Sequence, residues 1–178
     1  MWIKSLVVIV LFYLFAVMQN SFFTHFNLFG AVPNLVITLF FLVVFFLPKN
    51  SSAEIILYSV FAGLFLDIFS YAYFGVSIIL LLIIGLFAQK MKTMLQEKSN
   101  DTFPLVYFLP LFIISLLFYD FALSLCRDKF SFMQAISIFN FAISWEIVYN
   151  LLTAWLAFYI YKKFLQPKTA DHQLRLFR

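Results

Sequence analysis

"AGLFLDIFSYAYFG", residues 62–75, carries one acid in a run of apolar side chains. Asp67 stands between Leu66 and Ile68, flanked by Phe65 and Phe69, and no basic residue lies within a dozen positions on either side. Such a stretch belongs in a protein core or in a membrane, and composition decides between them. Of the 178 residues, 65% are hydrophobic and 11% charged. An ordinary soluble domain is roughly half apolar and about a quarter charged. The polar residues are too few to cover a soluble fold, so the chain reads as an all-α integral membrane protein. The carboxylate then needs a reason, because a charge in the hydrocarbon costs roughly 3 kcal/mol on insertion scales.

A helix needs about 20 mostly apolar residues to cross about 30 Å of hydrocarbon. Six candidates meet or approach that length: 5–23, 33–47, 54–71, 75–89, 104–125 and 140–161. The first follows a lone Lys4 and ends in Met18-Gln19-Asn20-Ser21-Phe22 with no small-x-small cleavage site. It reads as an uncleaved span, not a signal peptide. The spans at 33–47 and 75–89 are short, about 22 Å as helix. Short or broken helices can mark a site in transporters, but short spans beside longer, tilted ones account for these two. Pro33 suits a first helical position, where its missing N–H would be unsatisfied anyway. The stretch "FSFMQAISIF", 130–139, reads as an interfacial segment, because joining it to the sixth span would exceed the bilayer's need.

Charge sets the expected orientation. With the N-terminus inside, cytoplasmic segments hold Lys4, Lys49, Lys90, Lys92, Lys98, Lys162, Lys163, Lys168, Arg175 and Arg178, and the outer loops hold only Arg127 and Lys129. That asymmetry follows the positive-inside rule and places both termini in the cytoplasm. It also accounts for the net charge of +4, so no nucleic-acid partner is inferred. The expected organisation is a six-transmembrane-helix bundle over 1–162 and a basic cytoplasmic tail over 163–178. The 27 phenylalanines read as lipid-facing bulk.

Three acids fall inside spans: Asp67, Asp120 and Glu146. Counted from the inner ends of their helices they sit about 20, 24 and 22 Å up, all in the outer half. At about 100° per residue, Ala142, Glu146, Asn150, Thr153 and Ala157 share a stripe of the sixth span. Ser59, Gly63, Asp67 and Ser70 share a side of the third, and Asp120 and Ser124 lie one turn apart in the fifth. Small and hydroxyl residues let membrane helices approach and bond across the gap, so the third, fifth and sixth spans are expected to meet along these faces. No basic residue lies deep in any span, so the acids must be protonated or bonded to Asn, Ser, Tyr or water, with Arg127 and Lys129 the nearest cations. A polar cluster of Asp67, Asp120, Glu146 and Asn150 that fixes helix pairing is preferred to a proton relay, because the inner half offers few titratable groups.

Catalytic chemistry has little to stand on. One cysteine, Cys126, excludes an internal disulfide framework and paired-thiolate metal sites. His25 and His172 lie far apart, and the chain holds no Walker-type glycine loop and no HExxH. No enzyme activity, cofactor or metal is expected.

Three local patterns nevertheless stand together: "VPNL" at 32–35, "AGLFLDIFS" at 62–70, and Gly75 opening the next span. With the six spans, they resemble the MreD family of rod-shape-determining membrane proteins. Pro33, Asn34, Leu35, Gly63, Asp67 and Gly75 match that family's pattern, and "YFG" departs from its usual Pro-Leu-Gly turn. The resemblance implies a non-enzymatic component of the bacterial cell-elongation machinery in the inner membrane. It would scaffold or regulate peptidoglycan synthesis with an MreC-like membrane protein, MreB, RodA and a transpeptidase. The implied fold is similar to that of the substrate-binding subunits of energy-coupling-factor transporters. A vitamin-type binding subunit is therefore the alternative, and three acids suit a cationic ligand there. The residues themselves predict that Asp67→Asn, which keeps a hydrogen-bonding group, complements a deletion strain, while Asp67→Leu disturbs assembly.

Overall fold

The computed structural model of the chain describes residues 2–25, 32–48, 51–69, 73–98, 104–127, 142–160 and 163. Among these residues there are six α-helices and no strand. They are α1 (Trp2–Met18, continued by a π-helical turn, Gln19–Phe23), α2 (Leu35–Phe46), α3 (Ser52–Phe69), α4 (Val76–Lys98), α5 (Pro104–Arg127) and α6 (Ala142–Ile160). Four helical stretches, Ile3–Phe23, Ser52–Phe69, Val76–Leu95 and Tyr107–Cys126, are long and apolar enough to cross a membrane. The segment 130–139 and all of the tail except Lys163 lie outside the described residues.

The bundle is built around its shortest helix. At 12 residues, α2 is about 18 Å long, well short of a bilayer's hydrocarbon core. Its side chains are apolar on every face except at Thr38, and Val36, Ile37, Thr38, Phe40, Phe41, Leu42, Val44 and Phe45 are all buried. A helix apolar all round is the kind that neighbours can enclose, and α2 touches each of the other five helices. Phenylalanines fill the space around it. Phe41 meets Phe108 and Phe112 edge-on at 5.4 Å, and Phe108 lies 5.1 Å from Phe45 and 5.0 Å from Phe158. These rings correct the expectation of lipid-facing bulk. Lipid tails are as apolar as the core, so helix association rests on packing, and edge-to-face rings add to it.

Both ends of α2 are tied by other helices. At its C-terminal end, the Lys92 ammonium donates to the Leu47 carbonyl at 2.7 Å and the Gln89 amide donates to the Pro48 carbonyl at 3.3 Å. The last carbonyls of a helix have no partner within it, and here α4 supplies them. Lys92 also sits 5.7 Å from the Phe45 ring centre, a cation–π placement. This explains a second correction: α4 does not stop near Gln89 but runs to Lys98. The residues from Lys90 to Lys98 are mostly good helix formers, and Lys92 among them reaches the end of α2.

The closest helix pair is α3 with α4. Two glycines set that distance. A Cβ on Gly63 would stand 2.5 Å from Ile78 Cα, and one on Gly85 would stand 2.7 Å from Ile55 Cγ2. Small residues permit such an approach between membrane helices. On the other side of α3, Tyr58 donates to Ser5 of α1 at 3.3 Å and packs edge-on against Phe12. Pro110 sits inside α5 without ending it; membrane helices tolerate an internal proline where neighbours or local adjustment meet the freed carbonyl.

Two substitutions test these joints. Gly63→Ala pushes a methyl into backbone and should cost about 1–3 kcal/mol, read as a lower unfolding midpoint in mild detergent. Lys92→Met strands a carbonyl at the end of α2 and should cost about 1.5–3 kcal/mol in the same measurement.

Candidate functional site

The polar side chains gather where α3 gives way to α4. Asp67, 5% exposed, is near the end of α3, and its carboxylate is turned to the start of α4. One oxygen accepts from Gly75 N–H at 2.7 Å and the other from Ser77 N–H at 3.1 Å. The first N–H groups of a helix lack partners inside it, and the helix dipole favours an anion there. Asp67 therefore caps α4 from a neighbouring helix. Gly75 makes the turn possible: its φ is +96°, a conformation open to glycine and strained for other residues.

A second cap holds α2. The Asn34 side chain accepts from Ile37 N–H at 3.2 Å, and the Thr38 hydroxyl donates to the Asn34 carbonyl at 3.0 Å. The Asn34 N–H in turn donates to Asn150 Oδ1 of α6 at 2.6 Å. Asn150 is fully buried and about 12 Å along α6 from its start. The second helix thus begins beside the middle of the sixth, inside the bundle. Pro33, also buried, has no N–H to satisfy, so the Pro-Asn pair leaves only one backbone donor for Asn150 to meet.

Tyr119 joins the two remaining acids to Asp67. Its hydroxyl, on a side chain 2% exposed, pairs with the Ser77 hydroxyl at 2.9 Å, and Ser77 N–H is one of the donors to Asp67. Asp120, Asp67 and Glu146 all lie within electrostatic reach of Tyr119, and Asp120 and Glu146 within reach of one another. Asp120 Oδ2 and Asn150 Nδ2 are buried without a hydrogen-bond partner. Among the described residues no three His, Cys, Asp or Glu side chains are grouped to hold a metal ion. The arrangement is a chain of polar contacts through α3, α4 and α5 with Glu146 of α6 at its edge.

The route differs from the expected one. Helix α3 packs on α1, α2 and α4, while α5 packs on α4 and α6; α3 has no substantial contact with α5 or α6. The expected three-helix seam is thus replaced by α4, which stands between them. Its N-terminus claims Asp67, and Gly63 lets it come close. The hydroxyls also turn inward on their own helices. Ser59 donates to Ile55 O at 2.7 Å, Ser124 to Phe121 O at 2.8 Å and Thr153 to Asn150 O at 2.9 Å, as hydroxyls do when a carbonyl three or four residues back is in reach. Ser70, Lys129 and the Arg127 side chain lie outside the described residues. Ser77, Tyr119 and the capping role of Lys92 do not follow from the in-span acids and the small and hydroxyl residues on their faces; the available signal is a polar side chain near an end of an apolar run.

These features define a helical membrane protein in which several polar groups, Asp67, Asn150, Ser77 and Tyr119 among them, fasten one helix to the next. The family profile described as rod shape-determining protein MreD matches residues 2–168, nearly the whole length, and the chain belongs to that family. No curated protein and no solved structure matches it.

The capping geometry refines the behaviour of Asp67 variants. Both carboxylate oxygens accept N–H groups, so Asp67→Asn turns an amide N–H₂ toward one donor and should lose about 1–3 kcal/mol, with Asp67→Leu losing more. Asn150→Leu leaves the Asn34 N–H unmet in the bundle and should likewise lower the unfolding midpoint in detergent by about 1–3 kcal/mol. A midpoint unchanged by Asn150→Leu would remove Asn150 as the anchor of α2.

Proposed function

We propose that the protein is a non-enzymatic, multi-pass component of the bacterial inner membrane that scaffolds or regulates the cell-elongation machinery. It would act with an MreC-like membrane protein, MreB, RodA and a transpeptidase in peptidoglycan synthesis. The observation that carries this reading is the family match over residues 2–168. The construction of the bundle supports it: two buried polar side chains on α3 and α6 bond the backbone at the start of other helices, Asp67 on α4 and Asn150 on α2. A scaffold offers partner helices broad apolar faces, and α1 and α6 each keep one side exposed, with Ile3, Leu6, Val10 and Leu14 on one and Val148, Leu152, Trp155 and Tyr159 on the other.

In this reading all six helices traverse the membrane region, with both termini in the cytoplasm. The count of basic residues in the loops supports that orientation. The Lys92 end of α4 then faces the cytoplasm and the Asp67 cap faces outward. The residues 1–162 form the membrane domain and 163–178 the tail. The alternative, a substrate-binding subunit of a vitamin-type transporter with a fold like those of energy-coupling-factor systems, draws on one observation. Asp120 and Glu146 sit together, partly exposed, with one carboxylate oxygen unbonded.

Depletion of the protein separates the readings. Loss of rod shape and of lateral wall incorporation is expected for the scaffold; rods that keep normal shape and wall insertion would sink it, and dependence on an added vitamin would favour the alternative. A fluorescent reporter fused to the C-terminus should be bright and a phosphatase active only outside the cytoplasm should be silent there; the reverse pattern would overturn the orientation.

A further inference from the structure

Ser115 departs from the habit of the other helical hydroxyls. Ser59, Ser124 and Thr153 each donate to a carbonyl of their own helix. Ser115 is 2% exposed, and its hydroxyl is buried without a hydrogen-bond partner. It lines a groove of about 220 Å³ between α4 and α5, together with Ile83, Ile84, Phe87, Ile114 and Phe118. Ile83, Phe87, Ile114 and Phe118 are exposed, so the groove opens on the outside of the bundle. A lipid tail could fill it but offers the hydroxyl nothing, and a buried hydroxyl left unmet is costly.

The chain carries a complement to this groove on another face. Tyr13 is 52% exposed on α1, beside the exposed Val10 and Leu14, and its hydroxyl has no partner among the described residues. Tyrosine has an apolar body and a polar tip. Cavities of about 150 Å³ hold benzene, so the groove has room for the ring. The depths also agree. Tyr13 meets Phe65, two residues before Asp67, edge-on at 5.7 Å. Ser115 is one turn before Tyr119, whose hydroxyl meets Ser77, a donor to Asp67. Both therefore lie within about 6 Å of the Asp67 layer.

We propose that the groove between α4 and α5 receives α1 of a second copy of this chain, with the Tyr13 ring seated in it and the Tyr13 hydroxyl paired with that of Ser115. Helix α1 packs on α2 and α3 and has no substantial contact with α4 or α5. Ridge and groove are thus separate faces of one molecule, and copies join head to tail.

Energy transfer between donor- and acceptor-labelled copies of the full chain in liposomes, diluted with lipid, tests this. Tyr13→Phe and Ser115→Ala should each weaken association about threefold to tenfold, the size of one hydrogen bond between membrane helices. The double variant should be no weaker than either single one, because both changes remove the same bond. Ser115→Ala should leave the unfolding midpoint in detergent unchanged or raised, since it deletes an unmet hydroxyl. A photo-reactive phenylalanine analogue at position 13 should cross-link to α4 or α5 of a second copy in cell membranes. Absence of energy transfer for the unaltered chain, losses that add in the double variant, a lowered midpoint for Ser115→Ala, or cross-links only to lipid or to another protein would each overturn the proposal.

Discussion

A helix about 18 Å long, with most of its side chains buried and its first turn beginning inside the protein, imposes one demand on everything around it. The N–H groups at its start must be met by protein atoms, because an unpaired N–H buried away from water costs free energy. The bundle answers with side chains of other helices. Asn150 takes the Asn34 N–H at one end, and Lys92 and Gln89 donate to the Leu47 and Pro48 carbonyls at the other. These contacts fix where α6 and α4 stand relative to α2. The phenylalanine rings then fill the space that remains, and α5 enters through Phe108 and Phe112.

The same logic governs α4. Its first N–H groups fall on the Asp67 carboxylate, and its approach to α3 depends on Gly63 and Gly85. An acid in a greasy segment thus has a backbone for a partner where a cation would be the first guess. The two N–H bonds that the Asp67 side chain accepts hold the turn at Gly75. Tyr119 carries the connection across to α5 through Ser77. Asn34 after Pro33, and Asp67 one turn after Gly63, each take part in fastening the start of a helix.

Much of this was legible in the residues. The six helices follow from apolar runs, and Pro33, Gly63, Asp67 and Gly75 stand out by type and place, while Asn34 enters only through the family resemblance. Three readings failed for identifiable reasons. Apolar counting stopped α4 at Gln89, yet the helix continues because propensity and the Lys92 contact do not depend on hydropathy. Face analysis joined α3 to α5 and α6, because a wheel shows which side is polar and is silent about which neighbour it meets. A backbone N–H never appears on a helical wheel, so the donors to Asp67 and Asn150 are visible only in the folded protein. Phenylalanine alternates between core and lipid with the same letter, and only packing separates Phe41 from Phe22.

The bond between Asn34 and Asn150 spans 116 residues. During synthesis, α2 emerges long before the helix that completes its first turn. Until then its leading end must be sheltered by the insertion machinery or by headgroup water. Closure of the bundle's centre therefore waits on α6: a nascent chain that has not yet made that helix has no Asn150 to meet the Asn34 N–H.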